Sequence, residues 1–202
     1  SNDVIKLVFM KKVSVLYISY DGLTDPLGQS QILPYLVKLS KLNYEITILS
    51  TEKEDKFLKI NEVIKKICDS AEINWEWVKY TKTPPVFSTI KDIIQLKKKA
   101  VYLNKRHNFG IIHCRSYISA LVGLNMKRNF GLKFLFDMRG FWADERIDGG
   151  IWNTKLLPFK VIYKFFKNKE REYLTESDHI ISLTYNGKNE MRSWDYLRDK
   201  KD

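Results

Sequence analysis

Cysteine is scarce. The 202 residues hold two, Cys68 and Cys114; they form neither a CxxC pair nor a disulfide framework, which fits a reducing compartment. Long hydrophobic runs are missing as well: no apolar stretch approaches the roughly 18 residues a transmembrane helix needs. Lys11 and Lys12 precede an apolar stretch, but it has no small-residue cleavage pattern and runs straight into a strand, which argues against a signal peptide. Several catalytic fingerprints are absent too. There is no GxGxxG, so a dinucleotide site is unsupported, and neither Gly22 nor Gly28 is followed by Lys-Ser/Thr, so there is no P-loop. Gly28-Gln29-Ser30-Gln31 is not a GxSxG nucleophile elbow. No DxD or HxxxH pair offers metal ligands, so no metal and no cofactor are expected. Internal repeats, low-complexity tracts and composition shifts are likewise missing, which leaves one domain as the simplest organisation.

What the chain does have is positive charge. The formal net charge is +11 and the pI about 9.5, which implies an anionic partner: nucleic acid, phosphorylated metabolite or acidic lipid surface. No RNP, helix-turn-helix or zinc-finger pattern accompanies the charge, so nucleic acid is not the expected partner. With 44% hydrophobic residues the chain can fill a sizeable core.

Strand and helix signals alternate. Val13 to Tyr20 is rich in β-branched and aromatic residues and reads as a doubly buried strand. A loop with Gly22, Pro26 and Gly28 follows, then a helix with Ile32, Leu33, Leu36 and Leu39 on one side. Further strands are expected at Tyr44 to Ser50, Asn74 to Tyr80 (near-edge, with Trp75 and Trp77), Gly110 to Cys114, Leu132 to Phe136 and His179 to Leu183. Helices are expected at Lys56 to Ser70, Ile90 to Arg106, from Ser116 as N-cap to Gly131, and from about Leu156 to Thr175. Pro84-Pro85 stops the third strand. This spacing predicts a mainly parallel α/β sheet of six to seven strands with helices on both faces, a Rossmann-like architecture. Residues 1–10 are expected to be a leader or cloning remnant, 11–190 the domain, and 191–202 a tail, a final helix or the start of a connection.

In such sheets ligands collect beyond the carboxyl ends of the strands, where strand order reverses. With order 3-2-1-4-5-6 that crevice lies between the first and fourth strands. It would gather Gly22, Gly28, Arg115 and Ser116, with Asp137 and Arg139 from the fifth strand. The glycine loop presents two open readings: a phosphate cradle of bare N–H groups at a helix start, or an ordinary βα turn. His113, inside a strand, reads first as a core histidine. Arg115 is set for phosphate or carboxylate contact, or for a salt bridge to Asp137. In Asp137 to Arg146, Arg139 beside Gly140 offers a guanidinium and an N–H to one anion, next to Phe141 and Trp142; a self-paired charged loop is the alternative. Lys160, Lys164, Lys167 and Arg171 form a basic stripe on the long helix, a solvated face or a contact for anionic lipid head groups.

Three motifs together, Val15 to Gln31, Ile111-Ile112-His113-Cys114-Arg115-Ser116 and Asp137-Met138-Arg139-Gly140-Phe141-Trp142-Ala143-Asp144-Glu145-Arg146, resemble the N-terminal half of a bacterial family 4 glycosyltransferase of the GT-B fold. The resemblance implies two Rossmann-like domains facing across a cleft, the N-terminal one holding the acceptor and the C-terminal one a nucleotide-sugar donor. It implies retaining, metal-free sugar transfer to a glycan or lipid-linked acceptor in cell-surface polysaccharide synthesis. The expected location is cytoplasmic, with peripheral contact at the inner face of an anionic membrane. Carried onto this chain, the cleft residues would be Asp21, Gly22, Gly28, Gln29, Ser116, Asp144 and Arg146, with Arg115, Asp137 and Arg139 as catalytic candidates. Two departures stand out. The Glu-x7-Glu donor motif is missing, so the chain is expected to be a truncated piece, or a half-enzyme needing a partner, and inactive alone. Where many relatives have a histidine two residues after the position of His113, this chain has Arg115. A stand-alone phosphate- or nucleotide-binding module, and a non-catalytic basic protein binding membrane or nucleic acid, stay open beside this reading.

Overall fold

The computed structural model describes residues 12–84, 86–153 and 155–197. The expected leader at 1–10, Pro85 and the end of the tail at 198–202 lie outside the described residues. Six strands form one sheet in the order β3-β2-β1-β4-β5-β6, numbered along the chain, so the parallel α/β expectation holds. The chain divides by its internal packing into two compact units, residues 1–111 and 112–202.

In the first unit, β1 (Val13–Ser19) pairs in parallel with β2 (Tyr44–Glu52), from Val13 opposite Tyr44 to Ser19 opposite Ser50. β3 (Asn74–Lys79) pairs with β2 from Thr47 opposite Asn74 to Glu52 opposite Lys79. The last five residues of β1 and the last seven of β2 are buried; Leu16 to Ile18 and Ile46, Ile48 and Leu49 supply apolar core, while Ser19, Ser50 and Glu52 are buried polar groups at the carboxyl ends. After β1 the chain turns through one π-helical turn (Gly28–Ile32) into α1 (Leu33–Ser40). α2 (Glu54–Ser70) buries Ile64 and Cys68, one turn apart, against Tyr17, Ile46 and Ile48. β3 is half exposed, as expected of an edge strand, and Phe57 of α2 covers Trp77 at 4.3 Å between ring centroids. α3 (Phe87–His107) begins three residues earlier than its apolar spacing indicates and ends at Asn108 in the left-handed region.

The second unit opens within β4 (Ile111–Arg115). β5 (Lys133–Met138) pairs in parallel with β6 (His179–Ser182), from Leu135 opposite His179 to Met138 opposite Ser182. α4 (Ser116–Phe130) buries eight of its residues and stops at Gly131, whose φ of 70° a glycine adopts without strain. Gly123 lets this helix sit close: a Cβ there would lie 2.5 Å from Cys114 Sγ and 2.7 Å from the Phe134 ring. α5 (Trp142–Asp148) follows β5, where the sequence signals no helix. α6 (Leu157–Glu176) turns Phe166, Glu170, Tyr173 and Leu174 inward. α7 (Tyr185–Arg192) follows β6, capped by Thr184 Oγ1, which accepts from Gly187 N at 3.0 Å, and a short 3-10 turn (Asp195–Leu197) ends the described chain. Both thiols are buried, and burial pushes that of Cys68 up to about 12 and raises that of Cys114 further, which disfavours the reactive thiolate.

Candidate functional site

The residues expected to gather at one crevice divide between the two units. Asp21, Gly22, Gly28 and Gln29 belong to the first; Arg115, Ser116, Asp137, Arg139, Asp144 and Arg146 belong to the second.

In the first unit the glycine loop closes on carboxylates of the chain itself. Glu52, the last residue of β2, is buried, and its carboxylate accepts from Leu23 N (2.7 Å), Thr24 N (3.2 Å), Thr24 Oγ1 (2.5 Å) and Ser50 Oγ (2.5 Å). Gly22 N donates to Asp25 Oδ2 at 3.3 Å and Asp21 N to Ser19 Oγ at 3.1 Å. The amides that would cradle a phosphate thus already have anionic or hydroxyl acceptors. Both glycines are there for close approach. A Cβ at Gly22 would lie 2.6 Å from Glu52 Oε2, and one at Gly28 would overlap the Gly22 carbonyl oxygen and sit 2.6 Å from Leu23 Cα. Gln29 Nε2 donates to Thr24 O at 3.1 Å and holds the loop against the π-helical turn. Asp25 is buried, which disfavours its charge, but Lys56 (2.5 Å) and Lys53 (3.0 Å) outweigh that and hold its carboxyl below the ordinary range. Glu52 was not singled out in the sequence. The available signal was an acidic residue closing a strand shortly after a strand–glycine–helix turn, but the strand pattern was read only to Ser50.

In the second unit, β4 runs one residue further than expected, so Arg115 lies within the strand and is buried. Ser116 is not an N-cap: it is the first helical residue, with φ 64°, a strained value for a residue with a Cβ, and Arg115 occupies the cap position. The side chains of His113, Asp137 and Arg139 come together. Arg139 Nη2 donates to Asp137 Oδ2 at 2.8 Å, and His113 Nε2 lies 3.6 Å from the same oxygen, an electrostatic contact rather than a hydrogen bond. Burial opposes ionisation of Asp137, but His113 and Arg139 outweigh it and hold the carboxyl below its ordinary value. Asp137 is therefore a fixed negative charge that orients Arg139.

Arg139 leads into a cavity of about 600 Å³ at the carboxyl ends of β5 and β6. One wall is Arg139, Phe141, Asp144 and Glu145; the other is Thr184, Asn186, Glu190 and Trp194, from the start of α7 and the chain beyond it. Phe141 and Trp194 meet at 5.8 Å between centroids. Gly140 has φ 98°, a value strained for a residue with a Cβ, and a Cβ there would also displace the Glu145 carboxylate. Asp144 accepts from Tyr163 Oη (2.8 Å) and Lys167 Nζ (2.9 Å); Lys167 also reaches Glu170 at 2.6 Å, and buried Glu170 accepts from Tyr117 Oη. The Arg146 guanidinium lies over the Trp142 ring, 4.2 Å from its centroid, and 5.7 Å from that of Trp152, and it is not among the residues that line the cavity.

The basic stripe on α6 divides too. Lys160 and Lys164 are exposed, Lys167 is committed to Asp144 and Glu170, and the Arg171 guanidinium lies 5.0 Å over the Tyr196 ring. Among the described residues no three His, Cys, Asp or Glu side chains converge as a metal site, and no helix is long and apolar enough to cross a membrane.

No protein-family profile matches the chain, and no curated protein matches it by sequence. Solved structures do match by shape. Sucrose-phosphate synthase from Thermosynechococcus elongatus aligns with a TM-score of 0.56 at 10% identity, over 91% of this chain and 45% of its own. Arabidopsis thaliana UGT89C1, complexed with UDP-L-rhamnose, aligns with a TM-score of 0.55 at 13% identity, over 94% of this chain and 50% of its own. The fold matches the Rossmann-like half of the GT-B fold, and the chain spans about half the length of these neighbours.

Proposed function

We propose that this chain is the acceptor-binding half of a sugar transferase. The donor would be a nucleotide sugar held by a second domain, and the acceptor a glycan or a lipid-linked sugar of cell-surface polysaccharide synthesis. Family 4 membership, retention of configuration and metal-free transfer rest on the motif resemblance. The observation that carries the reading is the cavity at the ends of β5 and β6, in a chain whose fold is one half of a GT-B enzyme. Its lining holds three carboxylates, Asp144, Glu145 and Glu190, against one guanidinium, Arg139, beside the rings of Phe141 and Trp194. Planar acceptors and donors with an aromatic wall suit the vicinal hydroxyls and C–H faces of a sugar. The excess of carboxylates over the single guanidinium repels a diphosphate. Asp137 locks Arg139, which orients a sugar oxygen, and Asp144 is locked in turn by Tyr163 and Lys167. A stand-alone phosphate module has less support, because the Leu23 and Thr24 amides already serve Glu52.

Calorimetric titration of the chain with a nucleoside-diphosphate sugar and with a neutral oligosaccharide glycoside tests this. The expected result is saturable heat with the glycoside and none with the nucleotide sugar. Micromolar binding of the nucleotide sugar by this chain alone would overturn the assignment.

A further inference from the structure

The first half of α6, on the face opposite its buried side, is apolar where it should be wet; Asn168 and Glu172 continue that face in the second half. Leu157, Val161 and Phe165, spaced four residues apart, are 72%, 58% and 44% exposed, and Leu156 just before the helix is 53% exposed. At 100° per residue these three side chains span an arc of about 80°. Lys160 and Lys164 occupy the adjoining arc, exposed and without an ion-pair partner among the described residues. The helix cannot roll to hide the ridge. Phe166, Glu170, Tyr173 and Leu174 anchor the other side, and Lys167 is bolted to Asp144 and Glu170.

We infer that this ridge seats α6 flat in the interface of an anionic lipid bilayer, with Leu157, Val161 and Phe165 at the acyl boundary and Lys160 and Lys164 among the head groups. Side-by-side apolar and lysine arcs are the pattern of an interfacial helix. A ridge on a convex helix, rather than a groove, matches a deformable surface. Charge complementarity selects an acidic membrane for a chain of formal net charge +11. The proposal goes beyond the acceptor reading and does not depend on it, since no residue of the ridge lines the cavity. Lys167 and Arg171, which the sequence placed on the same stripe, take no part.

The test is sedimentation of the chain with vesicles of phosphatidylcholine alone and with about one third phosphatidylglycerol, at low and high salt. Binding only to the acidic vesicles, weakened by salt, is expected. Lys160→Gln with Lys164→Gln should weaken it about 30-fold, from about 1 kcal/mol for each lysine. Leu157→Ser, Val161→Ser and Phe165→Ser together should abolish it with an unchanged circular dichroism spectrum, because all three are exposed. A second lysine-flanked ridge on α3, Phe87, Ile90 and Ile94 beside Lys91, gives the comparison. Loss of binding in the matching α3 variant with none in the α6 variants would overturn the proposal. So would equal binding to both vesicle types, no binding at all, or a dimer in solution that the α6 serine variant makes monomeric.

Discussion

Replacing Glu52 tests the account of the glycine loop. Its carboxylate takes two buried backbone amides, Leu23 and Thr24, and two hydroxyls, Thr24 and Ser50. The hydroxyls can rotate toward other acceptors; the amides cannot. Each buried amide left without an acceptor costs about 1–3 kcal/mol, so Glu52→Ala should destabilise the chain by about 2–6 kcal/mol. Glu52→Gln keeps one carbonyl oxygen but turns an NH2 group toward the other amide, so it should cost about half as much, about 1–3 kcal/mol. Urea denaturation at neutral pH followed by circular dichroism gives the totals. Amide hydrogen exchange at Leu23 and Thr24 gives the local effect: protection should fall at one of them in the Gln variant and at both in the Ala variant. A cost below about 1 kcal/mol for Ala, or retained protection at both amides, would refute the view that Glu52 occupies the loop.

Gly28→Ala must push a methyl into the Gly22 carbonyl, which is backbone and cannot swing away; it should cost at least the 1–3 kcal/mol typical of overpacking and lower the thermal midpoint. Asp137 has a folded-state value below its ordinary one, so its contribution is fully present above about pH 4 and is lost as pH falls through the folded value. Asp137→Asn should therefore flatten the acid limb of the stability–pH curve relative to wild type, and an unchanged limb would remove the His113 and Arg139 pairing as its cause. Tyr117→Phe deletes the hydroxyl that donates to buried Glu170 and should cost about 1–3 kcal/mol, read by urea denaturation.

How much of this was legible depends on the range over which each contact forms. Strands β1, β2, β4, β5 and β6 announced themselves as β-branched and aromatic runs bounded by breakers, and alternation with helices fixed the parallel class. Trp75 and Trp77 marked β3 as half exposed, and Gly131 marked the end of α4. The short α5 was not legible, because Trp142–Asp148 buries only Ala143 and carries four charges, leaving no apolar period to read. Ser116 looked like a cap by residue type, yet the strand runs through Arg115 and gives it the cap position. Glu52 meets Leu23 and Thr24 across 28 to 29 residues, a contact no local pattern encodes. Lys167 sits at the right period for a basic stripe, and only the fold brings Asp144 to it. Asp137 with Arg139 was recoverable because both lie at one strand end. On the opposite wall of the cavity, Trp194 comes from the segment read as a tail and Glu190 from the last residue before it. The exposed apolar ridge escaped for the reverse reason: apolar residues at helical spacing are read as core.

The acceptor claim meets its most direct test in amide chemical-shift mapping of the chain titrated with a neutral oligosaccharide glycoside, beside Arg139→Ala. The account predicts shifts confined to Arg139, Phe141, Asn186, Glu190 and Trp194 and their neighbours, lost in the variant while the rest of the spectrum is kept. Shifts centred on Gly22 to Gly28 with a nucleotide sugar, and none at the cavity with the glycoside, would contradict it.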